Sequence, residues 1–595
     1  MCNTTRVEEL LPQLTFFLRL IHKEPWVFCQ NGENGKRRDE MLHQEGEIEQ
    51  EIARVFGSVD LDHLEVIYLY GIGLGHYIRA LVPWLAKDVK RDLVVIEDDI
   101  EVLRLFLNTE GADKLIEHPQ IHIRFMLDPK RWKQFLEERA LEFPYEKSEL
   151  IALEHYRSKR PRRVLAMRLY LLRRVTVHDA MHKDDLYYPV LSKNVLLNFP
   201  RIQTAFYANR LSCEFQGVPA VVCGAGPSLQ DEKKVLCDLE DRALLFAGGS
   251  AISGLGYMHV LPHFCVAVDP NFEEVSRFKK SCAFEVPLLY TNRLHPAVFN
   301  TFNGPHGYIH ARTGGPLEAW WENEMGIEPL PLQGGFDIEA LSVTTVCLEL
   351  ATTMGCNPIY LVGVDLAFTN NMRYTEGVIE GDPKCLLGLD QKVRASERPM
   401  LRKDRHGRCV RTLVKWIMES QTIGRFIKNN PKTHYINSTS GGIGIPGMPY
   451  QKLSRITFRK AGDLRGKIHQ LIEMNRFAPK VTDPLKKIVN SLREGLKVTH
   501  RALDELARLK GRDQEMENGR LILFQMELES LLAYSLCLEK PSHTFRKTFE
   551  RVHRLSSSVW TPRDKWDWLY AKWNGFYTLI TNYLDILHYR SDPIS

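Results

Sequence analysis

No Cys-x-x-Cys pair occurs in this 595-residue sequence, although it holds 12 cysteines. The spacing that chelates zinc or runs dithiol exchange is therefore missing. Cys223, Cys265 and Cys347 sit singly inside apolar, strand-like runs, which reads as reduced core thiols. Also missing is any run of the roughly 18 apolar residues that a spanning helix needs. Residues 1–20 carry Arg6, Glu8 and Glu9 where a secretory leader is apolar, so the expectation is a cytoplasmic chain with no membrane span. Charge of one sign is scarce: 79 Lys and Arg against 74 Asp and Glu leave a net +5. That excess makes no case for nucleic acid and puts no obstacle before an anionic nucleotide.

What is present is 44% apolar and 26% charged, a globular composition too long for one core. Three segments differ in pattern. In residues 1–190, an apolar strand at 66–70 runs into Gly71-Ile-Gly-Leu-Gly75 and a helix, and a second strand at 93–96 ends at Glu97. Two readings stay open: a dinucleotide or S-adenosylmethionine site with Glu97 on ribose hydroxyls, or glycines that only let helix and strand pack closely. A dense basic run follows at 157–174, with Val164, Leu165, Leu169 and Leu172 at helical spacing, which reads as a surface helix with a solvated basic face. Residues 191–450 alternate strand candidates (219–223, 243–247, 264–268, 286–290, 359–362, 433–436) with helix-length connections, the pattern of a parallel doubly wound sheet. Residues 451–595 are helical. Thr482-Asp-Pro484 and Thr561-Pro562 are start signals, and Leu485, Ile488, Val489, Leu492, Leu496, Leu503, Leu506, then Trp566, Leu569, Trp573, Phe576 and Ile580, form stripes at bundle-core spacing. The expected fold class is α/β: two Rossmann-like doubly wound parallel-sheet domains followed by a C-terminal helical domain.

Ligands of such sheets bind beyond the carboxyl ends of the strands. The strongest signal there is Gly224-Ala225-Gly226-Pro227-Ser228 after a wholly apolar strand. Glycines admit a close backbone approach, Pro227 is pre-set for a first helical turn, and the Ser228 hydroxyl with nearby N–H groups suits phosphate oxygens. No Gly-Lys-Ser/Thr follows, so the loop is not a Walker A. Gly249-Ser250 and Asp269 end the next two strand candidates, Asp269 suiting a ribose hydroxyl, a base amine or a metal. Ser342 and Thr344 open a helix that returns to a strand tipped by Asp365, with Tyr374 beyond. A carboxylate ending a buried strand costs desolvation unless a ligand or loop N–H groups bond it.

Residues 194–198, 219–229, 342–368 and 437–447 together resemble the motility accessory factor family, flagellin glycosyltransferases that share a core with archaeal 6-hydroxymethylpterin diphosphokinases and look like bacterial CMP-sialic-acid transferases. The resemblance covers roughly residues 190–450. It implies transfer of a nonulosonic (sialic-acid-like) sugar from a CMP donor, held by Gly224 to Ser228, to Ser or Thr of a flagellin-like protein acceptor. It implies no obligatory metal, with His406, before a helix expected from Val410, as base and Asp365 in the catalytic set. A homo-oligomer is compatible with it. Three departures stand out. Ala367 or Phe368 replaces a phosphate-binding tyrosine, residues 336–341 are inserted before Ser342, and the basic stretch 383–408 is a candidate lid. Two other functions remain open: pyrophosphoryl transfer from ATP to a pterin alcohol, with Mg held by acids such as Asp269, and a non-catalytic nucleotide-binding protein.

Overall fold

A computed structural model describes residues 29–31, 37–39, 48–57, 59–139, 143, 147–278, 281–311, 315–332, 342–378, 399–477, 484–510, 519–546 and 561–588. Residues 1–20, the inserted 336–341 and most of the lid candidate (383–398) lie outside them. The chain divides into two compact units, residues 1–179 with 394–396, and residues 180–393 with 397–595.

In the first unit, β1 (Val66–Tyr70), β2 (Asp92–Glu97), β3 (Ile121–Phe125) and β4 (Ser148–Ala152) form a parallel sheet in the order β3-β2-β1-β4. β1 and β2 are apolar and almost wholly buried, as inner strands of a parallel sheet are. The glycine loop after β1 answers to packing. A Cβ at Gly71 would lie 2.9 Å from Leu153 Cβ and from Tyr156, and one at Gly75 would lie 2.9 Å from the Phe106 ring. Glu97 is fully buried and accepts the N–H groups of Ile72 (2.8 Å), Asp98 (2.8 Å) and Asp99 (2.9 Å) and the Tyr156 hydroxyl (2.6 Å). With its oxygens so engaged it cannot meet a ribose, and of the two readings of this loop close packing is the one the structure supports.

In the second unit eight strands are all parallel: β5 (Phe206–Tyr207), β6 (Ala220–Cys223), β7 (Leu244–Gly248), β8 (Phe264–Ala267), β9 (Leu288–Tyr290), β10 (His306–Tyr308), β11 (Ile359–Val362) and, after a separate hairpin of β12 (Pro399–Lys403) and β13 (Cys409–Leu413), β14 (Tyr435–Asn437). Their order is β14-β11-β6-β7-β8-β9-β10-β5. Alternate residues serve opposite faces. Val221, Cys223, Leu245, Ala247, Cys265, Tyr290 and Val362 join one apolar cluster, whereas Ala220, Val222, Leu244, Phe246, Phe264, Val266 and Leu361 join another. Helix Val343–Thr353 covers the second face through Cys347, Leu348, Leu350 and Ala351.

The first cluster runs on into the C-terminal helices Pro484–Leu509 and Pro562–His588. Ile488, Leu492, Leu506, Trp573, Phe576 and Ile580 are buried in it, and Leu485, Val489, Leu496, Leu503, Trp566 and Leu569 pack on its margin. The aromatic stripe is thus core. Thr561 and Asp564 cap the last helix reciprocally, each side chain accepting the other's N–H (3.2 and 2.9 Å). No single helix among the described residues is long and apolar enough to cross a membrane. The helix expected from Val410 begins at Val414, because Cys409 to Leu413 pair with Pro399 to Lys403 instead.

Candidate functional site

The strand order sets the place. From β6 the chain steps outward through β7 and β8, then returns on the other side of β6 as β11. β6 and β11 therefore flank the switch point, where open α/β sheets hold their ligands. The two loops leaving it are locked together. Gly224 N–H donates to Val362 O (2.8 Å) and Gly226 N–H to Gly363 O (2.7 Å). A Cβ at Gly224 would lie 2.5 Å from Gly363 O, and one at Gly226 would lie 2.2 Å from Asp365 Oδ1. These glycines are needed because backbone meets backbone there.

Asp365 is 2% exposed and its Oδ1 accepts the Ser228 hydroxyl at 2.5 Å. Burial pushes its carboxyl up from the usual range, and the Ser228 and Thr369 hydroxyls pull it back. A third loop closes over it: Ile443 N–H donates to Asp365 O (3.1 Å), and Thr439 Oγ1 accepts Val364 N–H (3.1 Å). Two expectations change as a result. Ser228, read as a phosphate ligand, points its hydroxyl at Asp365. Pro227 starts a six-residue 3₁₀ turn followed by the short helix Lys233–Cys237, so this loop lacks the long helix whose dipole would favour an anion. Asp365 acts as the post around which the loops pack.

Around this post stand the remaining residues. Ala225 O accepts Thr375 N–H (2.8 Å), which draws the segment holding Tyr374 over the loop. Gly249, at φ +50, precedes helix Ser250–Tyr257. A Cβ at the neighbouring Gly248 would lie 2.3 Å from Val343, so the helix start bearing Ser342 and Thr344 seats on the tip of β7. Ser342 caps that helix and donates its hydroxyl to buried Glu419, while Thr344 is half-buried on the first turn. Asp269, beyond β8, accepts from Asn271 Nδ2 (2.9 Å) and Arg277 (3.4 Å).

Sequence reading missed Glu274, Arg277 and Arg373. The Glu274 side chain is fully buried; burial pushes it up to about 7, against the pull of Arg277, whose Nη1 lies 2.7 Å away. Arg277 also feels the Tyr374 phenol, and the Arg373 guanidinium lies 5.3 Å from the Tyr374 ring. The only sequence trace of this group is Glu274 and Arg277, one helical turn apart, just beyond the Asp269 tip. Asn194 and Asn198, also one turn apart, hold the neighbouring tips. Asn194 Nδ2 donates to Pro270 O and Arg293 O (3.1 and 3.0 Å), and Asn198 Nδ2 to Asn292 O and Leu294 O (2.9 and 2.6 Å).

His406 is exposed in the turn of the β12–β13 hairpin, its N–H donating to Asp404 (2.8 Å). Thr412 Oγ1 donates to Leu366 O (2.6 Å) and Phe368 N–H to Arg411 O (2.8 Å), which ties the hairpin base to the loop after Asp365. At the turn, Arg405 stacks 3.3 Å over Tyr450, whose backbone pairs with Asn437 at the end of β14. The turn that carries the histidine thus lies by the edge strand β14, which β11 separates from β6. His310, four strands from β6 or about 19 Å, is held by Glu322 at 2.7 Å.

The fold defines a doubly wound α/β protein whose switch point lies between β6 and β11. Residues 193–371 match the family model described as 6-hydroxymethylpterin diphosphokinase MptE-like, which bears out the pterin-diphosphokinase-like core expected from sequence. The solved structure of MAf glycosyltransferase from Magnetospirillum magneticum AMB-1 is similar over 100% of this chain and 97% of its own, at 15% identity and a TM-score of 0.47. No curated protein matches the sequence significantly.

Proposed function

We propose that this chain is a glycosyltransferase that moves a nonulosonic sugar from a CMP donor to Ser or Thr hydroxyls of a protein acceptor, without an obligatory metal. The observation that carries the reading is the interlocked pair of loops at the switch point, Gly224 to Ser228 and Gly363 to Asp365, with Tyr374 beside them, the Arg373 guanidinium 5.3 Å from its ring and Arg277 within electrostatic reach of its phenol. CMP is a good leaving group, so the protein has three tasks: to orient the donor, to balance phosphate charge and to take the acceptor proton. Orientation falls to the rigid floor built on Asp365. Charge balance falls to Arg277, Arg373 and Tyr374, which answers the loss of a tyrosine at Ala367 and Phe368. His406, an imidazole on a tethered hairpin, is the proposed base.

The matched family's description supports a second reading, ATP-dependent pyrophosphoryl transfer to a pterin, in which Asp269 helps to hold magnesium. Calorimetry of the full chain separates the two. Binding of CMP, and of CMP-sugar more tightly, is expected; binding of ATP with magnesium but not CMP would overturn the glycosyltransferase reading.

A further inference from the structure

The basic run at 157–174 is not only a solvated helix face. Lys159, Arg160, Arg162 and Arg163, with Asp98, Pro129 and Pro161, line an open cavity of about 640 Å³ in the first unit. These residues lie on the segments that leave the carboxyl ends of β2, β3 and β4, where sheets of this kind bind ligands. The one acid of the lining is already occupied. Asp98, its side chain fully buried, accepts from the Tyr70 hydroxyl (2.7 Å) and from Arg163 Nη1 (2.7 Å), and forms an ion pair with Arg160. Arg160 is fixed further by lying 4.4 Å over the Tyr156 ring.

Asp98, together with Asp99 at 3.7 Å from Arg160 Nη2, therefore faces the lining cations Lys159, Arg160, Arg162 and Arg163. Three of them flank or occupy the start of the 38-residue helix Pro161–Asn198, whose first turn contains no acid, so the positive end of the helix dipole adds to the repulsion. A cavity with this lining is completed by an anion. Two prolines and no aromatic ring complete the lining, so nothing in it stacks on a nucleobase and recognition rests on charge. We propose that this cavity binds a phosphate-rich small ligand, with Arg160, Arg162 and Arg163 forking onto phosphoryl oxygens and Lys159 adding a point charge. The site belongs to the first unit, whereas the loops at Gly224 and Asp365 belong to the second.

The test is calorimetric titration of the full chain with inorganic pyrophosphate at low salt, with CMP as a separate arm. Arg162 is exposed, so Arg162→Gln and Arg162→Glu change the cavity's charge and spare the Asp98 network; Lys159→Gln repeats the test at a second exposed side chain. The wild type is expected to bind one pyrophosphate more tightly than inorganic phosphate. Arg162→Gln should weaken this about tenfold or more, Arg162→Glu should abolish it, and CMP binding should be the same in all variants. Four results would overturn the proposal: no pyrophosphate binding by the wild type, unchanged affinity in every variant, competitive displacement of pyrophosphate by CMP, or binding of an acidic peptide in place of pyrophosphate.

Discussion

Replacing Gly226 with alanine puts a methyl group where the structure holds an acid. An ideal Cβ there lies 2.2 Å from Asp365 Oδ1, 2.6 Å from its Cγ and 2.7 Å from Gly363 O. None of these atoms can retreat cheaply. Gly363 O accepts the Gly226 N–H at 2.7 Å, and Oδ1 accepts the Ser228 hydroxyl at 2.5 Å. Overpacking costs about 1–3 kcal/mol, and disturbing a buried hydrogen bond to a carboxylate adds about 1.5–3 kcal/mol. A loss of about 3–5 kcal/mol is expected, roughly a 5 °C fall in the thermal midpoint for a unit of several hundred residues. Gly519→Ala is the control, since its Cβ meets nothing within 4 Å. Scanning calorimetry reads the midpoint and titration with CMP reads the site. Because the clash is with Asp365, adding Asp365→Ala should be less than additive, with a coupling of about 1 kcal/mol or more. A Gly226→Ala protein that melts within about a degree of wild type and binds CMP normally would refute the interlocked-loop account.

Burial lifts Glu274 from 4.5 up to about 7. The folded chain thus holds that proton more tightly than the unfolded one, and the stability this gives is full below pH 4.5 and lost as pH rises through about 7. Glu274→Gln should flatten that fall by up to about 3 kcal/mol, and urea midpoints between about pH 5 and 8 should show it; parallel profiles would refute the assignment. His406→Ala should leave CMP-sugar affinity intact while cutting turnover by about a hundredfold or more, and turnover within a few-fold of wild type would place the base elsewhere. Gly575 lies within helix Pro562–His588 with nothing within 4 Å of its Cβ position. Gly575→Ala should therefore stabilise by about 0.5–1 kcal/mol, visible as a raised midpoint.

The inner strands were legible because burial on both faces makes them continuous apolar runs: Ala220–Cys223, Leu244–Gly248, Phe264–Ala267 and Ile359–Val362 fall within a residue of their expected positions. The short strands Phe206–Tyr207, at the edge, and His306–Tyr308 beside it left no such run, and β3 and β4 mix apolar with charged residues. The hairpin was hidden by charge. Its first strand alternates exposed and half-buried residues, its second turns buried only at Thr412 and Leu413, and Gly407, at φ +80, sits in the turn. In the site, glycine spacing located the crevice but not who uses its hydrogen bonds. That the Gly226 N–H and Ser228 hydroxyl face the β11 loop depends on a neighbour 137 residues away. The two readings of Glu97 stayed open for the same reason: an acid at a strand tip looks alike in sequence whether it meets a ribose or four donors of its own chain.

The wrapping of Asp365 has a consequence for how the chain is made. Its carboxylate waits on Ser228 from far upstream, while its cover, Thr439 to Ile443, comes off the ribosome later. Ser440 also reaches back 209 residues to Asp231. Until residue 443 has emerged, a nascent chain holds an acid without its lid and a bare β11 edge where β14 has yet to pair, the kind of edge that invites mispairing. Contacts this distant close slowly. A fragment ending at residue 371, where the matched family segment stops, would remain in that unfinished state, with its glycine loop intact and the floor beneath it open to water.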